Sequence, residues 1–175
     1  MAFFRWAVVT VPFMLLLGFT SARSVPVGAD NAWYQALVKP AHLPPDWVFP
    51  VAWTVLYALM GLALAQVINA QGSRLRTPAL ILFAVQLVPN LIWTPLFFGA
   101  HQVVWSLVTI GAMGVLALVT TGLFFRVRIV AALLMVPYLA WIGFAGYLTA
   151  EINRLNPNAA TLVPSSVSSQ MIASR

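Results

Sequence analysis

The sequence predicts an all-α, polytopic membrane protein built as a bundle of five transmembrane helices. Hydrophobic residues make up 62% of the 175-residue chain and charged residues 7%, against about 25% charged residues in an ordinary soluble domain. Apolar stretches long enough to cross a bilayer recur along the chain, and the links between them are short. Strands of a membrane barrel would instead appear as alternating runs of about ten residues.

Composition also excludes several classes of function. The chain has no cysteine, so disulfides and thiolate metal sites are ruled out, and its two histidines and three acidic residues are too few for most metal or carboxylate sites. The net charge is +6, but the basic residues sit singly or in pairs at the ends of apolar stretches. That placement favours membrane orientation over nucleic-acid binding, so we expect a lipid bilayer and no nucleic acid as partner.

The first helix is predicted at about residues 4–22, and a loop at 23–45 follows it. This helix is short for a span, since about 20 residues cross the hydrocarbon core. A cleaved signal peptide is the alternative, with Arg5 as its charged end and Thr20-Ser21-Ala22 as the cleavage site. The pattern alone leaves both interpretations open.

Four further helices follow, and their apolar stretches contain no charged residue, which disfavours ion pumping. Their short links predict antiparallel neighbours within a single domain at 1–156. The serine-rich residues 157–175 lack periodicity and are predicted to be disordered. The four helices are predicted at about 46–70, 77–99, 102–125 and 128–153.

Basic residues in the short links predict the orientation. Arg74 and Arg76 lie in one link, Arg126 and Arg128 lie in another, and both links fall on the same side as Arg5. Because the positive-inside rule is strongest for short links, we expect the amino terminus inside and the loop and carboxyl terminus outside. The expected location is the membrane of a bacterial cell envelope.

An aromatic face begins the second helix. Phe49, Trp53 and Tyr57 are spaced four residues apart, which places their rings on one side of a helix. A proline-rich loop, which contains Lys39 and Pro44, directly precedes them. The aromatic residues either fill space in the membrane or form one wall of a ligand site beneath the loop.

Two other helices present comparable faces. Asn90 and Trp93 share a face with Gln86, and amides in a membrane helix should point into the bundle, where they bond to a neighbouring helix or to a ligand. In the last helix Trp141 and Ala145 share a face beside small residues, which leave room for a close helix or a ligand. In the loop, Lys39 and protonated His42 could contact an anionic group.

These motifs together resemble the translocator protein family, whose bacterial members are called tryptophan-rich sensory proteins and whose animal members are called peripheral benzodiazepine receptors. The resemblance covers about residues 33–156 and is specific because uncommon residues recur in the same order in three segments. The matching residues are Trp33-Tyr34, Lys39-Pro40, Pro44-Pro45, Trp47-Val48-Phe49-Pro50, Ala52-Trp53-Thr54, Leu56-Tyr57, Met60-Gly61, Gln86, Asn90, Trp93, Pro95, Phe97-Phe98-Gly99, Pro137-Tyr138-Leu139, Trp141 and Leu155-Asn156.

The resemblance implies a five-helix bundle that keeps its first helix, with a pocket open toward the loop. Family ligands include tetrapyrroles such as protoporphyrin IX, and the expected role is sensing, regulation or transport, with porphyrin as a ligand and no required cofactor or metal. Many members form dimers, so a homodimer is expected. The family pocket maps onto Tyr34, Pro44, Phe49, Trp53, Tyr57, Asn90, Trp93, Trp141 and Ala145, with Lys39 and His42 at its entrance.

Departures from the family pattern bear on the alternatives. His42 stands where the family has a tryptophan, which weakens the alternative of an enzyme that degrades porphyrin in light. The family's Leu-Asn near the end of the last helix reads Leu148-Thr149, and no basic residue follows Tyr138 or Tyr147 closely enough for the proposed sterol motif. A structural or interaction protein of the membrane remains the other alternative.

Overall fold

Five long helices form the described part of the molecule, and a short sixth lies in the loop after the first. The structure is a computed structural model that describes residues 2–162. Within that part of the chain, five helices are long and apolar enough to cross a membrane, which confirms the predicted fold class. The helices are α1 (Ala2–Ala22), α2 (Ala32–Ala36), α3 (Val48–Ile68), α4 (Arg76–Thr94), α5 (Val103–Val127) and α6 (Ile129–Leu155).

The five long helices close into a ring whose order differs from their order in the chain. Helix α1 packs on α3, α3 on α6, α6 on α5 and α5 on α4, and a smaller contact between α4 and α1 closes the ring. The connectivity makes all these neighbours antiparallel except α1 and α4, which run in the same direction. Helix α4 also contacts α3 directly, although the two are not neighbours in the ring.

Large side chains fill the half of the bundle that is farther from the loop. Phe83 and Phe124 stack at 5.6 Å between ring centroids, and Met60 and Met135 are fully buried. The outer surface is apolar, as a lipid environment requires. Exposed residues on it include Val8, Phe13, Val55, Ile81, Val88, Val104, Val108, Val115, Leu118, Leu133 and Val136.

Helices α1 and α3 approach each other closely at Gly61. A Cβ added at Gly61 would lie 2.7 Å from the Cα of Val11, so a larger residue would collide with the backbone of α1. The Thr10 hydroxyl donates a 2.7 Å hydrogen bond to the Gly61 carbonyl across the same contact. Gly61 therefore serves helix packing, in keeping with small residues at membrane helix interfaces.

Helix α4 ends in a π-helical turn, Pro95–Gly99. Pro95 has no N–H to donate, and its carbonyl accepts a 2.9 Å hydrogen bond from the N–H of Ala100, five residues on. The wider turn carries Phe97, which is buried, toward the loop.

The loop after α1 is folded rather than irregular. It contains a 3₁₀ turn, Gly28–Asp30, followed directly by α2. Between them Asn31 caps α2, since its Oδ1 accepts a 2.9 Å hydrogen bond from the N–H of Tyr34. The side-chain amide of Asn31 donates a 2.9 Å bond to the carbonyl of Phe98. One asparagine thus fixes both the shape of the loop and its attachment to the end of α4.

The segment after α6 is ordered where the structure describes it. Ala159–Thr161 form a 3₁₀ turn, and the indole N–H of Trp33 donates a 2.7 Å hydrogen bond to the carbonyl of Ala159. The structure thus differs from the predicted disorder over residues 157–162, because the buried Trp33 holds this turn against the loop. The remainder of the predicted disordered tail, 163–175, lies outside the described residues.

Candidate functional site

A cavity of about 310 Å³ lies at the loop end of the bundle. Its volume is near the lower end of the ~300–1,000 Å³ typical of small-molecule sites. Helices α3, α4 and α6 provide its walls, and the loop provides its mouth. The lining residues are Ala22, Val27, Gly28, Ala29, Tyr34, Leu43, Asp46, Phe49, Pro50, Trp53, Trp93, Thr94, Phe97, Phe98, Ala145, Leu148, Thr149 and Ile152.

Aromatic rings form two of the walls. Phe49 and Trp53 line the cavity from α3, one turn apart on the same helix face. On the opposite side Trp93 stacks on Phe97 at 5.0 Å with 9° between the ring planes, and Tyr34 meets Phe97 edge-on at 6.3 Å. Flat faces of this kind suit a planar apolar ligand.

The third wall comes from α6 and was only partly predicted. Ala145 was expected, and Leu148, Thr149 and Ile152 line the cavity with it. They follow Ala145 at three, four and seven residues, so extending the face by helical spacing could have found them. The Thr149 hydroxyl donates a 2.8 Å hydrogen bond to the Ala145 carbonyl and presents its oxygen as an acceptor.

Five of the predicted pocket residues thus line the cavity, and two others lie deeper in the bundle. The hydroxyl of Tyr57 donates a 2.6 Å hydrogen bond to Oδ1 of Asn90, whose amide donates a 2.9 Å bond to the hydroxyl of Tyr138. Tyr138 in turn donates a 2.9 Å bond to Oε1 of Gln86. This polar cluster ties α3, α4 and α6 together. The side-chain amides of Gln86 and Asn90 were expected to bond either to a neighbouring helix or to a ligand, and in the structure they bond to neighbouring helices. Contact of Tyr57 or Asn90 with a ligand stays a prediction.

Trp141 stands behind the α3 wall and does not line the cavity. Its ring meets Phe49 edge-on at 5.9 Å and Trp53 at 6.5 Å. The indole nitrogens of Trp141 and Trp93 are buried, and neither has a hydrogen-bond partner within residues 2–162. Trp141 therefore supports the wall, and Trp93 holds an unused donor next to the cavity.

The basic side chains predicted at the entrance do not line the cavity either. The Lys39 ammonium lies 4.9 Å from the centroid of the Tyr34 ring and 3.3 Å from Oε1 of Gln35. His42 is exposed, and Pro44 is half-buried outside the lining. Anion contact by Lys39 and His42 therefore stays a prediction that the geometry of the cavity does not favour.

The charged residue on the lining is Asp46, which the sequence analysis did not single out. The sequence did contain a signal for it, since Asp46 is a lone acidic residue next to the first turn of α3, which carries the aromatic wall. Burial, reinforced by the negative charge of Asp46, raises the pKa of Tyr34 to about 12. The Tyr34 hydroxyl therefore stays protonated at neutral pH and can donate a hydrogen bond into the cavity.

Known proteins match the chain along all the elements that build this cavity. The TspO/MBR family model matches residues 8–155. The chain is 41% identical over 144 residues to the tryptophan-rich protein TspO of Chlorobaculum tepidum, covering 82% of this chain and 90% of that one. It is 39% identical over 130 residues to the protein CrtK of Rhodobacter capsulatus, covering 74% and 81%. It is 36% identical over 155 residues to the translocator protein of Homo sapiens, covering 83% and 92%.

Proposed function

This chain belongs to the TspO/MBR family of multi-pass membrane proteins, and we propose from that premise that it binds tetrapyrroles such as protoporphyrin IX in the cavity beneath its loop. Its role would be sensing, regulation or transport. The observation that carries the proposal is the cavity itself, which opposes Phe49 and Trp53 to the stacked pair Trp93 and Phe97.

The chemistry of the walls fits a flat apolar macrocycle. Rings on α3 and α4 offer stacking surfaces, and Ala145 on α6 leaves space between them. The Tyr34 hydroxyl supplies a hydrogen-bond donor, one of the few polar anchors that such a site needs. The indole N–H of Trp93 is buried and would reach a ligand only if its surroundings moved. Leu43 and Gly28 lie at the mouth, so we expect the loop to shift as a ligand enters.

The direct test is titration of the purified protein with protoporphyrin IX in the dark, followed by quenching of tryptophan fluorescence. Ala145→Phe fills the cavity, and Ala140→Phe makes the same change at an exposed position of the same helix. We expect saturable quenching in the wild type, an affinity weakened at least tenfold in Ala145→Phe, and an unchanged affinity in Ala140→Phe. Thermal unfolding of each variant verifies that the bundle is intact.

A second variant protects the test against misfolding of the first. Trp53→Ala removes one aromatic wall and enlarges the cavity, so it should weaken porphyrin binding without overpacking. Quenching that never saturates, or that is identical in the wild type and in all three variants, would mean that porphyrin only partitions into detergent. The tetrapyrrole function would then be abandoned in favour of a structural or interaction role.

A further inference from the structure

One charged side chain lines the cavity within the described part of the chain, and it is acidic. Asp46 lies two residues before α3 and borders the mouth together with Tyr34 and Phe49. A Cβ added at Gly28 would lie 3.8 Å from Oδ2 of Asp46, so the carboxylate rests beside the turn at Gly28. The negative charge is therefore held at the loop end of the cavity.

No neighbouring cation neutralises this carboxylate among residues 2–162. The ion pair found there joins Arg154 and Glu151 at 2.9 Å. The ammonium of Lys39 contacts Tyr34 and Gln35 instead. His42, four residues before Asp46, makes no ion pair with it in the described part of the chain. The charge of Asp46 also contributes to the raised pKa of Tyr34, so its field reaches the polar lining of the cavity.

We propose that Asp46 makes this cavity select its ligands by charge, accepting a neutral or cationic polar end and disfavouring carboxylates. The inference rests on the proposed function: among tetrapyrroles, those with fewer free carboxylates bind more tightly. A ligand carboxylate at the mouth would lie within a few ångströms of Asp46, and such like-charge contacts are a common means of rejecting a ligand. Because Asp46 is exposed, water and salt reduce the repulsion without removing it.

The test measures binding of three porphyrins to the whole protein in detergent. Protoporphyrin IX dimethyl ester has no free carboxylate, protoporphyrin IX has two, and coproporphyrin III has four. Asp46→Asn removes the charge at the mouth while keeping the shape of the side chain. Asp30→Asn is the matched control, because it removes an exposed loop carboxylate that does not line the cavity.

We expect Asp46→Asn to tighten binding of protoporphyrin IX about three- to tenfold and that of coproporphyrin III by more, as partial screening of nearby charges implies. The dimethyl ester should bind with equal affinity to the wild type and to Asp46→Asn. Asp30→Asn should have the affinity of the wild type for all three porphyrins. The gain from Asp46→Asn should shrink as salt is added.

Two results would overturn the inference while leaving the proposed function in place. The first is saturable binding of all three porphyrins with no effect of Asp46→Asn. The second is an equal gain for the dimethyl ester, which would indicate a change of shape instead of charge. Absence of saturable binding even for the ester would remove the proposed function and the charge selection with it.

Discussion

At the scale of the residue, Asn90 determines how three helices meet. It is 4% exposed, accepts from Tyr57 and donates to Tyr138. Asn90→Ala leaves two buried hydroxyls without this partner, so we expect the free energy of unfolding to fall by about 1–3 kcal/mol. Thermal unfolding in detergent measures the loss, and Asn69→Ala, at the half-exposed end of α3, is the control. Equal midpoints for Asn90→Ala and the wild type would show that the polar cluster does not stabilise the bundle.

Individual residues also show where inference from sequence stops. Helical spacing places Asn90 and Trp93 on one inward face, and both do point into the bundle. Spacing within one helix does not say which side chains on other helices lie opposite, so the pairing of Asn90 with two tyrosines could not be predicted. Asp46 was missed because no helical periodicity covers the loop residues before α3, so its position at the cavity depends on tertiary contacts of the loop.

At the scale of the element, the contact between α1 and α3 depends on the absence of a side chain at Gly61. Gly61→Ala puts a methyl group 2.7 Å from the Cα of Val11, so α1 must move and we expect a loss of about 1–3 kcal/mol. Gly122→Ala, on α5, is the matched control because a Cβ there meets nothing within 4 Å. It should leave stability unchanged or raise it by up to about 1 kcal/mol through helix propensity.

The thermal unfolding midpoints of the two alanine variants, measured in the same detergent, test whether α1 and α3 are in close contact at Gly61. A midpoint for Gly61→Ala at or above that of Gly122→Ala would mean that the two helices are not in close contact in the folded protein. Because neither substitution changes charge or polarity, the comparison isolates the space available to one methyl group.

The elements themselves differ in how far sequence determines them. The long helices begin and end within about two residues of their predicted positions, as at α5 (Val103–Val127), because uncharged apolar stretches between polar links mark them clearly. The exception is the end of α4, which lies at Thr94 instead of 99 because the last five residues of that stretch form the π-helical turn Pro95–Gly99. The loop was predicted without structure, yet it contains a 3₁₀ turn and α2. Helices this short owe their stability to caps and tertiary contacts rather than to a local pattern.

At the scale of the whole molecule, the closed ring explains why the cavity forms at one end. Bulky residues such as Phe83 and Phe124 fill the far half of the bundle, and the order α1–α3–α6–α5–α4 brings three aromatic or small-residue faces together under the loop. The residue spacing predicted each of these faces separately. That they meet in one pocket was predicted only from the resemblance to a known family, since short links alone do not place α6 beside α3.

The side of the membrane to which the cavity opens remains a prediction that this chain is well suited to test. It contains no cysteine, so a single introduced cysteine is the only site for a membrane-impermeant maleimide. Ala41 lies in the loop at the cavity end of the bundle, Gln71 lies in the link between α3 and α4, and both are exposed. Arg74 in that link and Arg76 at the start of α4, together with Arg126 and Arg128 at the junction of α5 and α6, should hold this side inside by the positive-inside rule.

In spheroplasts that express the protein in a bacterial inner membrane, we therefore expect Ala41→Cys to react with the maleimide at once. Gln71→Cys should react only after detergent opens the membrane, and the wild type should not react at all. If Gln71→Cys reacted at once and Ala41→Cys only after detergent, the cavity would open toward the cytoplasm. Equal labelling of both variants before detergent would mean that the chain inserts in both directions. With the predicted orientation, ligands reach the carboxylate of Asp46 and the ring of Tyr34 from outside the cell membrane.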